Sequence, residues 1–343
     1  MTPSPRQGVL AAGNFIVDRI KKIDAYPAEN MLANIESESR SNGGGPYNIL
    51  KDLAAMGAGY PLMAAGRIGD DDDGAWILDD CVKHGIDATL LLRDPSESTS
   101  YTDVMTAMKT GRRTFFHRRG TNAGFAGKRI DFEKSSARIF HLAYLMLLDG
   151  LDAFAPDGRT FASHLLERAS SAGLTTSVDI VSAANPKFRE IVLSALPVTD
   201  HLLINEVEAG RALEREIDPG DQEAVGNAAR DLLACGVRCA VVLHTEYGAV
   251  RVGRDGGFHS QGSVRVAPET IKGANGAGDA FAAGYLHGVH EGMSPRDALE
   301  LAACVAAACL SDSSPSGGVK SVEDCLALGR ERGFSTFGKR GIE

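Results

Sequence analysis

Short apolar runs separated by helical stretches recur along this chain, and that alternation restricts it to few folds. The run GVLAAGNFIVD (8–18) is apolar, ends in a Gly-Asn turn and reads as a first strand. PYNILKDLAAMG (46–57) has helical spacing and stops at Gly57. YPLMAAGRIG (60–69) reads as a strand, followed by the acidic turn DDDDG (70–74) and a helix from Ala75. TTSVDIV (175–181), HLLINEVE (201–208) and CAVVLHT (239–245) are short apolar strands with helices between them, and VEDCLALGRERG (322–333) closes the pattern. Strands alternating with helices predict a parallel sheet covered on both faces. Two stretches break the rhythm. Residues 21–40 and 98–120 are rich in Thr, Tyr, Phe and alternating polar residues, and read as strands of a small antiparallel sheet. Both read as insertions that pair into a lid on a single domain spanning 1–343.

The formal net charge of -9 over 343 residues makes nucleic acid and anionic membrane poor partners. The longest apolar run, LAACVAAACL (301–310), is half the roughly 20 residues a spanning helix needs. MTPSPRQGVLAAGNF lacks the long apolar core of a signal peptide, so a cytoplasmic protein is expected. Cysteines 81, 235, 239, 304, 309 and 325 form no C-x-x-C pair and are expected as buried free thiols. The end, FSTFGKRGIE, reads as a loose tail.

The segment IKGANGAGDAFAAGYLHG (271–288) carries the chemistry. It is not a dinucleotide fingerprint, because Phe281 stands at the third glycine position after Gly276 and Gly278. It is not a Walker loop, because Asp279 and Ala280 replace the Lys and the Ser/Thr. Gly276, Ala277 and Gly278 still lead into a helix, and unpaired backbone N–H groups there, with the helix dipole, suit an anion. A carboxylate next to such a nest makes sense if a hydroxyl sits between them. Asp279 would take the hydroxyl proton while the N–H groups hold the incoming phosphoryl oxygens. The local alternative is that Asp279 only caps the helix.

These residues resemble the ribokinase-like, or PfkB, family of carbohydrate kinases. GANGAGDAF (273–281) is similar to the family's D-T-x-G-A-G-D-x-F, and NGGGPYNILKDLAAMG (42–57) to its Gly-Gly-then-Asn helix. NEVE (205–208) matches N-x-x-E, GRIGDDDDG (66–74) the G-x-x-G-x-D-x-x-G turn, and GNFIVD (13–18) the opening strand. The resemblance implies a doubly wound α/β fold, its sheet mostly parallel, with a small β lid. It implies ATP-dependent phosphorylation of a small sugar or sugar acid, with Asp279 as base and Gly276, Ala277 and Gly278 as anion hole. Asn205 and Glu208 would hold Mg²⁺, largely through water. Asn14, Asp18, Gly43, Gly44 and Asn48 would bind the sugar; Asn205, Thr245, Gly248, Asn275, Gly276 and Gly278 would bind ATP. Adenine would lie near LHTEYG (243–248) and the helix 298–310. The acidic run Asp70–Asp73 is read as a turn and helix cap.

Two departures matter. Gly273–Ala274 stands where the family has Asp-Thr, so the resemblance does not extend to potassium activation. Thr245 replaces the first glycine of the strand-end G-x-x-G. In the lid, GRRTFFHRRGTNA (111–123) concentrates positive charge. Its arginines face solvent or a partner lid, or one of them, Arg118, faces an acidic sugar; Phe115 and Phe116 could instead stack on a nucleoside base. Exposed lid strands need covering, so a homodimer through the lids is expected. A nucleoside kinase and a non-catalytic binding protein are the competing readings.

Overall fold

The computed structural model describes residues 6–339 and 341. Its strands are β1 (Val9–Gly13), β2 (Ile16–Ile23), β3 (Ile35–Gly43), β4 (Leu62–Gly69), β5 (Ile86–Asp94), β6 (Tyr101–Ala107) and β7 (Arg113–Arg118). They continue with β8 (Ile139–Leu145), β9 (Thr175–Ile180), β10 (His201–Asn205), β11 (Ala240–Thr245), β12 (Gly248–Gly253) and β13 (Phe258–Gly262). Nine of them form one sheet in the order β13-β12-β11-β10-β9-β8-β1-β4-β5. From β11 to β5 every pairing is parallel; β12 and β13 add an antiparallel edge.

Period-2 alternation divides the core between the two faces of this sheet. In β1, Leu10 and Ala12 pack with Leu165, Leu166 and Ile191 on one side, while Val9 and Ala11 pack with Leu50, Leu53 and Leu286 on the other. Strands buried on both faces read as continuous apolar runs, which is why they were visible in the sequence.

The other four strands form the lid sheet, in the order β3-β2-β6-β7. Its outer pairs are antiparallel, but β2 and β6 run parallel. The reason is topological: β2 follows β1 and β6 follows β5, and both feeding strands point the same way. The boundaries differ from the sequence reading in two places. The run 8–18 is two strands, broken at Asn14–Phe15, and the second half leaves for the lid. The first insertion, read as 21–40, contributes 16–23 and 35–43 with a loop between them. The acidic turn ties lid to body. Asp71 caps the helix Asp72–Lys83 by accepting from the Gly74 N–H, and Asp73 pairs with the lid residues Arg19 and Arg40.

Two further expectations are corrected. Cys81, Cys304, Cys309 and Cys325 are buried free thiols, but Cys235 and Cys239 are exposed, because they flank the turn between the helix Gln222–Ala234 and β11. The segment after Phe334 is not loose over its described residues. Phe334 bridges to Val264, the Ser335 N–H donates to Ser263 O at 2.8 Å, and Phe337 packs on the core. No helix among the described residues is long and apolar enough to cross a membrane.

Candidate active site

Parallel strands end on one edge of a sheet, so residues distant in sequence meet at that rim. Here the carboxyl ends of β8 to β11, with the helix Ala277–His290 and the lid, enclose a cleft of about 560 Å³. It is lined by Asp18, Gly44, Asn48, Asn205, Glu208, Asn275, Gly276, Gly278 and Asp279, all singled out in the sequence, and by Tyr144, Asp179 and His244.

Asp279 sits in the first turn of its helix, 6% exposed. Tyr144 OH donates to Oδ1 at 2.6 Å and Asn48 Nδ2 donates to Oδ2 at 2.7 Å. Burial pushes its pKa up to about 6, and those two hydrogen bonds hold it from rising further. The helix cap is Gly276, not Asp279: Gly276 is left-handed at φ 80, with no side-chain cap. A Cβ there would stand 2.6 Å from Pro315 O, so only glycine fits. The Ala277 N–H reaches back to Ala274 O at 3.4 Å. The Gly278 and Asp279 N–H groups have no acceptor among the described residues. Of the expected set Gly276, Ala277 and Gly278, Ala277 spends its N–H inside the turn, while the Gly276 N–H, like that of Gly278, has no acceptor among the described residues.

Asp18 comes from the start of β2, and Asn275 Nδ2 donates to it at 3.0 Å. Burial lifts its pKa to about 7. Gly43 and Gly44 let this wall approach: a Cβ on Gly43 would strike the Asp18 carboxylate, and Gly44 has φ +90 against Asn14 O. Asn275, expected at the nucleotide, lines this cleft with its amide on Asp18.

Asn205 and Glu208 form a capping box at the start of the helix Glu206–Leu213. Glu208 Oε2 accepts from the Asn205 N–H at 3.0 Å and Oε1 accepts from Ser182 OH at 2.9 Å. Burial pushes Glu208 up to about 7, and burial with the nearby charges of Asp279 and Glu208 raises Asp179 well above the carboxylate range.

Two expected ligands lie elsewhere. Asn14 is fully buried behind the cleft, where Oδ1 accepts from the Tyr144 N–H at 2.6 Å and Nδ2 donates to Leu147 O at 3.4 Å. It positions Tyr144. Arg118 points away from the cleft and pairs with Glu97 at 2.8 Å. On β7 the cleft side belongs to residues 113, 115 and 117: Phe115 and His117 line the cleft. Arg113, half-buried, packs its guanidinium over Gly273, where a Cβ would collide with it. Burial lowers the Arg113 pKa, and the Asp18 carboxylate opposes that.

A second cavity, of about 360 Å³, adjoins the first and is mostly apolar. His244 to Glu246, Gly248, Ala249, Ala274, Ala277, Ala303, Ala306, Ala307 and Leu310 line it, so Thr245 and Gly248 fall together with the helix expected beside adenine.

A large, mostly parallel sheet with a separate small sheet, and a buried carboxylate in a cleft that adjoins a second, apolar cavity, is the arrangement expected of the ribokinase-like kinases. The chain belongs to the pfkB family of carbohydrate kinases: the family model, described as pfkB family carbohydrate kinase, matches residues 7–321. It is similar to the 2-dehydro-3-deoxygluconokinase of Bacillus subtilis (24% identity, covering 78% of this chain and 80% of that one). It is also similar to the ATP-dependent ribose-1-phosphate kinase of Halopiger xanaduensis (27% identity, 81% and 83%). The fold matches the ribokinase of Arabidopsis thaliana complexed with ribose and ATP, with a TM-score of 0.78, 20% identity, and 95% and 99% of the two chains covered. It matches the nucleoside kinase of Burkholderia thailandensis in complex with inosine at a TM-score of 0.70 and 19% identity, over 97% and 99%.

Sequence reasoning does not single out Tyr144 or Asp179, and it includes Arg113 only within the basic lid cluster, where it favours Arg118. Tyr144 and Asp179 sit in strands with no motif of their own, and their one signal is position, at the carboxyl ends of apolar runs.

Proposed function

We propose that the chain transfers the terminal phosphoryl group of ATP to a hydroxyl, a primary one by preference, of a small sugar that carries an acidic group. The observation that carries this reading is the Asp279 carboxylate, buried in the wall of the larger cleft beside the free N–H groups of Gly278 and Asp279 and next to Gly278, which lines both cavities. The sugar lies in the larger cleft against Asp18, Asn48 and Gly44. Asp279 accepts the hydroxyl proton as that oxygen forms its bond to the terminal phosphorus and the bond to ADP breaks. The backbone N–H groups hold the charge that develops on the phosphoryl oxygens, and closure of the lid excludes water.

The residues at the cleft floor fit Mg²⁺. Glu208 and Asp179 are buried carboxylates crowded together with no ion pair to a cation among the described residues, and Asn205 adds an amide at the strand end. When bound, Mg²⁺ neutralises phosphate charge.

The acidic substrate is supported by Arg113, a half-buried cation at the lid side of the cleft, and by relatives named as kinases of a sugar acid and of a sugar phosphate. The test is an ATP-consumption screen over ketodeoxy sugar acids, sugar phosphates, neutral sugars and nucleosides. Arg113→Ala is expected to raise KM for the acidic substrate about 10–100-fold, the value of one charged hydrogen bond, while leaving a neutral sugar such as ribose as it was. Equal KM for the acid in both proteins would remove Arg113 from substrate binding. Phe115, half exposed in the cleft wall, favours nucleosides as the second reading, since a base could stack on it. ATP turnover with nucleosides and none with acids would establish it.

A further inference from the structure

Two residues line both cavities, Gly278 and His244. If nucleotide and sugar occupy the cavities as proposed above, the phosphate chain has to pass between them at this shared wall. His244 lies near the end of β11, next to Asn205 in register. Its ring packs on Phe281, with centroids 5.1 Å apart and planes 33° apart, which fixes its orientation. The ring edge faces the glycine turn: Cε1 is 3.6 Å and Nε2 4.0 Å from where a Cβ on Gly278 would stand. Neither ring nitrogen makes a hydrogen bond among the described residues. Burial pushes the pKa of His244 down to about 4, so the free enzyme holds a neutral imidazole with one N–H to donate.

A phosphate chain offers acceptors only, and of the two residues shared by both cavities Gly278 offers only its backbone N–H, so His244 is the one that brings a side-chain donor. We infer that the His244 side chain donates a hydrogen bond to the terminal phosphates of the nucleotide, and so adds a side-chain ligand to the phosphate-binding turn. A neutral donor suits this position. It contacts the anion without bringing a second fixed charge beside Asp279. The inference rests on the reading of the apolar cavity as the nucleotide pocket.

The experiment compares ADP with adenosine, measured by calorimetry on the full chain with Mg²⁺ present. His244→Leu is expected to weaken ADP binding about 10–100-fold, and to leave adenosine within about twofold, since the nucleoside has no phosphate for the ring to hold. His244→Gln, which keeps an N–H donor, is expected to stay within about threefold of wild type for ADP. Unchanged ADP affinity in His244→Leu overturns the inference. So does a parallel loss of adenosine and ADP in both variants, which would make His244 a packing residue. A wild-type protein that binds neither ligand overturns the nucleotide reading itself, and this inference with it.

Discussion

Asp279→Asn is expected to lower kcat about 10²–10⁴-fold, the usual size of a general-base contribution, with KM for both substrates little changed. The amide keeps the shape of the carboxylate and its contact with Tyr144, but it cannot take up a proton. Stability separates this loss from misfolding. The folded pKa of Asp279 is about 6 against an ordinary 3.8, so between those values the folded state holds a proton that the unfolded state has released. Its favourable contribution is fully present below about pH 3.8 and is lost as pH rises through 6. At pH 8 the wild type therefore carries a buried charge that Asp279→Asn lacks. The variant should melt no lower than wild type at that pH. A variant that is inactive and also melts several degrees lower would point to a structural role.

Gly276→Ala is the second large effect. At φ 80 an alanine costs about 1–2 kcal/mol in backbone strain, and its Cβ would lie 2.6 Å from Pro315 O, so one of the two segments must move. The Gly278 and Asp279 N–H groups ride on this turn. Displacing them should lower kcat about 10²–10³-fold, the cost of losing a preorganised donor to the transition state. Steady-state kinetics with a melting curve reads both effects. Wild-type kcat in Gly276→Ala would show that the turn tolerates a side chain and that its donors need no such placement.

The parts of this site that the sequence disclosed are those coded locally. The turn 276–279, the capping pair Asn205 and Glu208, and the Gly43–Gly44–Asn48 entry to a helix each need particular residues at fixed offsets, because backbone geometry there is set within a few positions. Strands buried on both faces announced the sheet in the same way. What depends on register or on packing at a distance stayed hidden. Arg113 and Arg118 are both arginines of one lid strand, and which of them faces the cleft is decided by pairing β7 with β6, where Thr106 meets Arg113 and Tyr101 meets Arg118. An odd spacing of five puts them on opposite faces. Tyr144 lies 135 positions from the carboxylate it touches, and no local pattern links them. Asn14 has the right chemistry for a sugar ligand, yet its amide is used to hold the Tyr144 and Leu147 backbone. The split of residues 8–18 between two sheets, and the packing of the segment after Phe334, likewise follow from contacts with distant strands.

The most direct measurement of the central claim is the pH dependence of kcat/KM in the wild type and in Tyr144→Phe. Asp18 and Glu208 are pushed to about 7, so the acid limb of the wild type reports several carboxylates together with Asp279 near 6. Tyr144 OH bonds to the Asp279 carboxylate, and removing it raises the pKa of that group. If Asp279 is the base, its own pKa rises by about 0.5–1 pH unit, the equivalent of a hydrogen bond worth ~1 kcal/mol, and the limb moves upward by part of that. An acid limb that stays where it was, in a folded variant with intact substrate binding, would contradict the account.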